Sequence, residues 1–375
     1  MRPTVKLWEI CDILDKKRKP ITQKDRMKWI YPYYWASWVL DYVADYIFDE
    51  DLVLIWEDWA KWWALDNSAF KVSWKVWVNN HAHVIRPHRE KIIDDFLVYF
   101  LVSSDLSDYI TWTTVPKLNQ ERLKLIEIPL PPLEIQKAIV AKLDQIFAEL
   151  DQTKSEIQKN LDNTDELWKS ALNQAFQGDW EMKKLGEMAE IWDWLHWTPQ
   201  YEQLSEYRFI NGNNIKWWHI NFNSAKYVSE STYNKLKIDF TVWRTVFMSI
   251  NWTIWNLAFY NNEKIALWKS VCYFNIKYPD LSTEYLYYYL QTNKSKTYYD
   301  DNKTWNTIMN LWLKAIREYS IPVPPLSEQE KIVEHLDKVS KEVKELKSQY
   351  QSQLDNLEEL KKSVLDKAFK WELGE

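Results

Sequence analysis

The chain has 375 residues, is 46% apolar and 27% charged, and carries a net charge of −6. These values sit near the globular average and exclude a disordered, collagen-like or membrane-embedded chain. At roughly 100–200 residues per domain, two or three domains are expected. Two numbers are out of proportion: Gly 4 and Trp 25, where average usage predicts about 26 glycines.

Taken in chain order, the opening MRPTVKLWEICDILDKKRKP has no apolar core of a signal peptide. Lys16-Lys-Arg-Lys19 is a compact basic run that reads equally well as a phosphate contact or a solvated loop. Residues 1–127 hold short β-rich runs, Asp51–Ile55 and Lys75–Val78, and then a helical stretch, Asp94–Leu106. His81 and His83 share one face of a strand, but no cysteine or carboxylate is spaced to complete a metal site, so a structural or DNA-contacting role is expected. Glu57-Asp58 has no accompanying nucleophile and does not read as acid–base machinery. The run Ile128-Pro-Leu-Pro-Pro-Leu133 is extended and cannot be helical.

After it, Leu143, Phe147, Leu150, Ile157, Leu161, Thr164, Trp168, Ala171 and Ala175 recur in alternating steps of four and three, with Lys154 the one charge on the seam. That is a heptad stripe on a helix of roughly 60 Å. Residues 179–320 again alternate turns (Asn211–Asn214, Asn261–Glu263) with a strand at Ser270–Ile276 and a helix at Ser282–Lys294. Residues 321–375 repeat the extended run and the helix, with Leu336, Val343, Tyr350, Leu354, Leu357, Val364 and Ala368 on its seam. Each helix carries more acid than base and is a poor nucleic-acid surface, whereas the globular parts are near neutral. Cys11 and Cys272 make no disulfide framework and point to a reducing cytoplasm, and no run of about 18 apolar residues predicts a membrane span.

The chain matches itself. Ile128–Asp144 lies over Ile321–Asp337 with ten of 17 positions identical, at an offset of 193. The offset also carries Thr111-Trp-Thr-Thr onto Thr304-Trp-Asn-Thr and Ala175-Phe-Gln-Gly onto Ala368-Phe-Lys-Trp. Lys6–Glu9 resembles Lys184–Glu187 at offset 178. A unit of a variable globular part and a constant helix has therefore been duplicated. The helices are expected to pack on each other as an antiparallel coiled coil; the alternative is two independent surface helices, each against its own domain. No glycine loop for a phosphate, and no methyltransferase, nuclease or helicase motif, is present in the sequence.

The paired IPxPPL…Q…IV…LD blocks, each leading a long helix that ends in AFx, resemble the specificity subunits of type I restriction-modification systems. Tyr31–Tyr34, Ile55–Ala60, Trp77–His83, Thr111–Asn119 and Ile210–Asn214 extend the resemblance over both repeats. It implies an α+β fold with two mixed α/β target-recognition domains (1–127 and 179–320), a central spacer helix (128–178) and a C-terminal one (321–375), related by a pseudo-two-fold. Each domain would read one half of a bipartite double-stranded DNA site. Leu143, Leu150, Ile157, Leu161, Leu336, Val343, Leu354 and Leu357 would set the spacing and dock the methyltransferase subunits, two being expected. Restriction/translocase subunits complete the expected partners. The chain itself would be non-catalytic and hold no cofactor or metal, with S-adenosylmethionine, ATP and magnesium belonging to partner subunits. Since Arg and Lys read guanine and Asn and Gln read adenine, the candidate DNA contacts are Lys16, Lys17, Arg18, Lys19, Lys61, Arg86, Lys117, His196, Lys216, Arg244, Lys269 and Lys303. A recognition subunit of another bipartite-site methyltransferase or nuclease, or a coiled-coil scaffold without DNA, are the other readings.

The repeat also addresses the tryptophans. Trp371 falls at the position of Gly178, and Trp8 at that of Gly186. The family pattern expects glycine at Trp35, Trp38, Trp56, Trp59, Trp112, Trp194, Trp197, Trp252, Trp255, Trp268 and Trp305. Asn251-Trp-Thr-Ile-Trp-Asn256 is implausible as a turn, but the same run with glycines is ordinary. UGA codons decoded as glycine by the host and rendered here as tryptophan account for this, with Trp62, Trp77, Trp168 and Trp180 the expected genuine residues. The opposing reading is a protein that uses tryptophans as aromatic platforms. UGG codons at Trp252, Trp255 and Trp305 would exclude recoding. Recoding predicts these tryptophans in turns, exposed or strained.

Overall fold

A computed structural model describes residues 4–26, 30–36, 38–58, 68–112, 115–193, 198–216, 218–251, 254–305 and 309–370. The chain divides into two compact units, Met1–Gln158 with Gln351–Glu375, and Lys159–Tyr350. Each long helix therefore contributes to both units.

In the first unit an antiparallel sheet runs in the order Cys11–Ile13, Ala82–Pro87, Leu52–Trp56, Ala69–Val72. A second sheet has the order Val39–Val43, Tyr31–Tyr34, Lys75–Val78, Phe48–Asp49. Within it Tyr31–Tyr34 and Lys75–Val78 are parallel. The run Leu52–Ile55 is apolar at every position because both of its faces are covered. Successive side chains point to opposite faces. Val53 and Ile55 accordingly join the core around the helix Asp94–Ser103. Leu52 and Leu54 join the core under the second sheet.

The second unit repeats this plan. Its main sheet is Ala189–Trp192, Val271–Ile276, Thr245–Ser249, Leu257–Phe259. The smaller sheet, Lys226–Tyr227, Arg208–Ile210, Ile265–Leu267, again contains one parallel pair. Val246 and Met248 face one core and Phe247 the other. The strands expected at 51–55, 75–78 and 270–276 are present as Leu52–Trp56, Lys75–Val78 and Val271–Ile276. The helix expected over Ser282–Lys294 is two helices, Thr283–Tyr289 and Asn293–Asn302. The break falls at Thr292, whose hydroxyl accepts the Ser295 N–H and so starts a new helix.

The proline-rich runs end in short strands. Glu127–Pro129 pairs with Thr4–Lys6, and Ser320–Pro322 with Met182–Lys184. The long helices then run from Leu133 to Ala175, 43 residues, and from Leu326 to Lys370, 45 residues. One buried glutamine fixes the first turn of each. Gln136 donates to the carbonyls of Lys91 (2.8 Å) and Pro131 (2.9 Å) and accepts the Ile93 N–H (2.9 Å). Gln329 donates to Asp280 (2.7 Å) and Pro324 (2.7 Å) and accepts the Ser282 N–H (2.8 Å). This is the physical content of the glutamine in the duplicated block. Two turns later Tyr99 donates to Asp144, and Tyr288 donates to the matching Asp337.

The seams meet inside each unit. In the first, Leu143 and Phe147 pack with Val364, Leu365 and Ala368, with Leu150 partly buried against them, and Lys154 pairs with Glu358 at 2.6 Å. In the second, Trp168 and Leu172 share a core with Leu336 and Val343, and Lys347 pairs with Asp165. The offset of 193 that carries Lys154 to Lys347 also carries Asp165 to Glu358. One antiparallel ion pair is thus made twice. Ile157 is buried, and Leu161, Leu354 and Leu357 are half-buried.

The helix ends cross over. Phe369, at the end of the second helix, stacks edge-on against Phe96 and Phe100 of the first unit, with centroids 5.4 Å from each. Phe176, just past the end of the first helix, does the same to Tyr285 (5.2 Å) and Tyr289 (5.1 Å) of the second unit. Each globular part is therefore packed by its own helix start and by the other repeat's helix end.

Among the described residues, the non-glycine residues with left-handed backbone are Trp74 (φ 69°), Trp218 (φ 71°), Trp243 (φ 60°), Trp255 (φ 92°) and Asn262 (φ 66°). A side chain in this region costs roughly 1–2 kcal/mol, and glycine pays no such penalty. Trp74 and Trp243 are more than half exposed, so little packing offsets that cost. Trp74→Gly and Trp243→Gly are each expected to stabilise the chain by about 1 kcal/mol in urea unfolding; a loss of stability would contradict the assignment of these positions as glycine sites.

Candidate nucleic-acid interface

The candidate cations separate into two groups. Arg18 lies largely buried, pairs with Glu57 and Asp15 and donates to the Ala82 carbonyl at 2.7 Å. Arg86 makes a two-pronged pair with Glu50, 2.6 Å on each prong. Lys117 sits 2.7 Å from Glu57, and Lys303 2.6 Å from Asp300. The Arg244 guanidinium donates to the carbonyls of Leu281 (3.0 Å) and Tyr278 (2.7 Å). These five are engaged by their own chain. Lys16, Lys17, Lys19 and Lys216 are exposed and Lys269 is half-exposed. Lys61 and His196 lie outside the described residues.

Arg18 and Lys117 belong to a buried network in the first unit. His83 is fully buried, with Nδ1 2.6 Å from Asp15 and Nε2 2.6 Å from the Leu118 carbonyl. Asp15 also accepts from the Val84 N–H at 2.9 Å and from Gln120 at 3.3 Å. Sequence spacing showed no carboxylate near His83, but the fold brings Asp15 and Glu57 to it, within 4.8 Å of one another. Both carboxylates are taken up by His83, Arg18 and Lys117, so the cluster is a buried ion network. Burial alone would raise both acids. His83, Arg18 and the Val84 N–H more than offset it at Asp15, and His83, Lys117 and Arg18 do so at Glu57, leaving both below their ordinary values.

A junction of three loops lies beside this network. It collects the chain after Tyr34, after Glu57 and after Val78. The Glu57 N–H donates to the His81 carbonyl (3.0 Å), the Asn79 N–H to Tyr34 (3.1 Å), and the Leu118 N–H to Glu57 (2.8 Å). The second unit has the same junction. The Ile250 N–H donates to Ser270 (2.9 Å), Trp268 to Ile210 (2.9 Å), and Leu311 to Ile250 (3.1 Å). A bridge from Asp58 to Lys117 in one is matched by a bridge from Asn251 to Asn310 in the other. There the junction opens a cleft of about 470 Å³ lined by Asn211, Gly212, Asn213, Asn251, Trp268, Lys269 and Ser270. A Cβ on Gly212 would stand 3.2 Å from the Ser249 Cβ, so a side chain here would require the facing wall to give by a few tenths of an ångström. Sequence reasoning picked out Asn211–Asn214 and Trp77–His83 as motifs but not as two copies of one junction. The signal was the offset of 193, which joins Asp58 to Asn251 and Lys117 to Asn310.

The comparisons agree with this duplicated construction. A family model described as a type I restriction modification DNA specificity domain matches residues 3–164 and again 177–356. A type I restriction enzyme specificity subunit of Haemophilus influenzae is 26% identical over 354 residues, covering 88% of this chain and 86% of the relative. The EcoKI specificity subunit of Escherichia coli is 23% identical, covering 77% and 68%. In structure, a chain of a type I restriction-modification complex aligns with a TM-score of 0.72 at 20% identity, over 98% of both chains. The HsdS subunit from Thermoanaerobacter tengcongensis aligns at 0.53 and 21% identity, over 98% and 96%.

The depressed acids make the first unit pH-sensitive. Their contribution is fully present above the ordinary values of 3.8 and 4.5 and is lost as pH falls through the lower folded values. Glu57→Gln is expected to cost about 3 kcal/mol at pH 7, because half-buried Lys117 loses its acid and buried Arg18 keeps only Asp15. The gap from the parent chain should narrow as pH drops below about 4 in urea titrations; a gap that widens in acid would contradict this account.

Proposed function

Since the chain belongs to the type I restriction-modification DNA specificity family, we propose that each of its globular parts reads one half of a bipartite double-stranded DNA site. The long helices hold the two readers at a fixed separation and dock the methyltransferase subunits. The observation that carries this reading is the repeated build of the two units, down to the matching Lys–acid pair on the helices. Two like readers on one antiparallel seam suit two half-sites at one spacing, because protein repeat geometry is mirrored in half-site geometry. The helices carry a net negative charge and an apolar seam, which suits protein contact better than phosphate contact.

In this reading the chemistry belongs to the partner subunits. The chain's part is selection, by side chains at base edges, with exposed lysines such as Lys16, Lys17 and Lys216 supplying phosphate contacts that position without specifying. In the assembled complex, two methyltransferase subunits holding S-adenosylmethionine would modify adenine. Restriction subunits using ATP and magnesium would translocate and cut. The setting is the cytoplasm, in keeping with the two free, buried cysteines; no helix is long and apolar enough to cross a membrane among the described residues.

Methylome sequencing of cells carrying the complex should find modified adenines at one split site, and modification of a continuous site would refute the two-reader reading. Insertion of one heptad at matching points of both helices should change the gap between the half-sites and leave their sequences intact. Altered half-site sequences with an unchanged gap would assign the spacing to something other than the helices.

A further inference from the structure

We propose that the three-loop junction is where each unit reads its bases, with Asn251, Lys269 and Asn213 as the specificity-determining residues of the second unit. Asp58, His81 and Asn80 hold the same office in the first. This rests on the reading of the two units as half-site readers and says which atoms do the reading.

Most polar groups at the second junction are already used to build it. The Asn211 side chain accepts the Asn213 N–H at 2.9 Å. Asn214 accepts the Asn211 N–H at 2.9 Å and donates to the Asn221 carbonyl at 2.9 Å and to Ser224 at 3.2 Å. Ser270 accepts the Gly212 N–H at 2.9 Å. Four of the described polar side chains in the cleft wall are left over, Tyr201, Asn213, Lys269 and Asn251, and the last three carry groups that match base edges. Asn213 is exposed. The Lys269 ammonium lies 5.7 Å from the Trp268 ring and pairs with no carboxylate among the described residues. Asn251 is the most telling, since its Oδ1 is buried in the cleft wall with no hydrogen-bond partner. An orphaned buried acceptor is destabilising unless a ligand completes it.

The chemistry of these groups names the ligand. An asparagine amide accepts from adenine N6 and donates to N7 in one bidentate contact, and lysine donates to guanine O6 and N7. An orphan amide oxygen and an ammonium without a carboxylate partner among the described residues, both in the wall of one cleft, therefore suit adenine and guanine edges. In the first unit the backbone is the same and the edge groups differ. Asp58 replaces Asn251, its carboxylate 2.8 and 3.0 Å from His81 Nδ1. Asn79 is spent on the turn, accepting the His81 N–H at 2.8 Å, while Asn80 is exposed. A carboxylate accepts from cytosine N4. One scaffold with amide and ammonium in one copy, and carboxylate and imidazole in the other, is what two different half-sites require.

The test uses the full chain assembled with its methyltransferase partner, on a library of random duplexes, with methylated products sequenced. It is run with Trp268 and with Trp268→Gly, since that residue lines the cleft. Asn251→Ala and the isosteric Asn251→Asp should each reduce discrimination at one base pair of one half-site by about 5- to 150-fold. The other half-site and the gap should not change. Asp58→Asn should act in the same way on the other half-site only. Unaltered specificity in all three variants, or changes spread over both half-sites, would overturn the assignment. Failure of the parent complex to select any bipartite site would overturn the two-reader reading beneath it.

Discussion

The architecture hangs on the crossing of the helix ends. Phe369 closes the first unit and Phe176 the second, each supplied by the other repeat. Burying such a ring contributes roughly 1.5–3 kcal/mol, and its edge-on partners add about 0.5–1.5 kcal/mol each. A globular part on its own would keep its helix start, held by Gln136 or Gln329, and lose its far wall. Neither half of the chain is therefore complete alone, and a long helix cannot be trimmed without opening the domain at its distant end. The seam between the helices is consequently fixed in register at both ends, by the glutamine at the start and the phenylalanine at the finish. The exposed Lys154–Glu358 and Lys347–Asp165 pairs mark that register; at their exposure each adds at most about 1 kcal/mol.

Within this frame the two units solve the same packing problem with different chemistry. Where the first unit buries His83 between Asp15 and Glu57, the second holds buried Cys272 and Ile250 at the positions of His83 and Glu57 and keeps an aspartate, Asp193, at that of Asp15. A satisfied ion network and a hydrophobic cluster of similar volume are close in stability, whereas a network missing one member is not. The backbone junction beside them is kept in both, bond for bond. Fold is thus carried by backbone ladders, the glutamines and the crossing phenylalanines. The residues at the junction's edge are released to vary, and that is where a reader of changing sequences needs freedom.

Much of this was legible in the sequence. The offset of 193 implied the duplication, and the heptad stripes implied helices packed on each other, because both patterns are local and periodic. The family resemblance led to the correct family. The role of the glutamine in the duplicated block was not legible, since its partners at 91–93 and 280–282 lie more than forty residues away. Separation along the chain also hid Glu57 from Arg18 and Lys117 and Glu50 from Arg86, so these read as free cations in a linear string. Thr292 was missed as a helix start because the apolar and tyrosine-rich pattern runs on past it. The glycine shortage pointed to tryptophans in turns, and Trp255 is one of those named. Trp74, Trp218 and Trp243 adopt the same left-handed backbone without having been named, whereas Trp56 and Trp112, which were named, stand at the ends of strands and not in turns.

Native-state hydrogen exchange on the full chain tests the crossing most directly. Phe369→Ala should lower protection of the helix Asp94–Ser103 while leaving Thr283–Tyr289 at its parent level, and Phe176→Ala should do the reverse. If Phe369→Ala instead loosened Thr283–Tyr289, or if both substitutions loosened only the long helices, the claim that each repeat closes the other's globular part would be wrong.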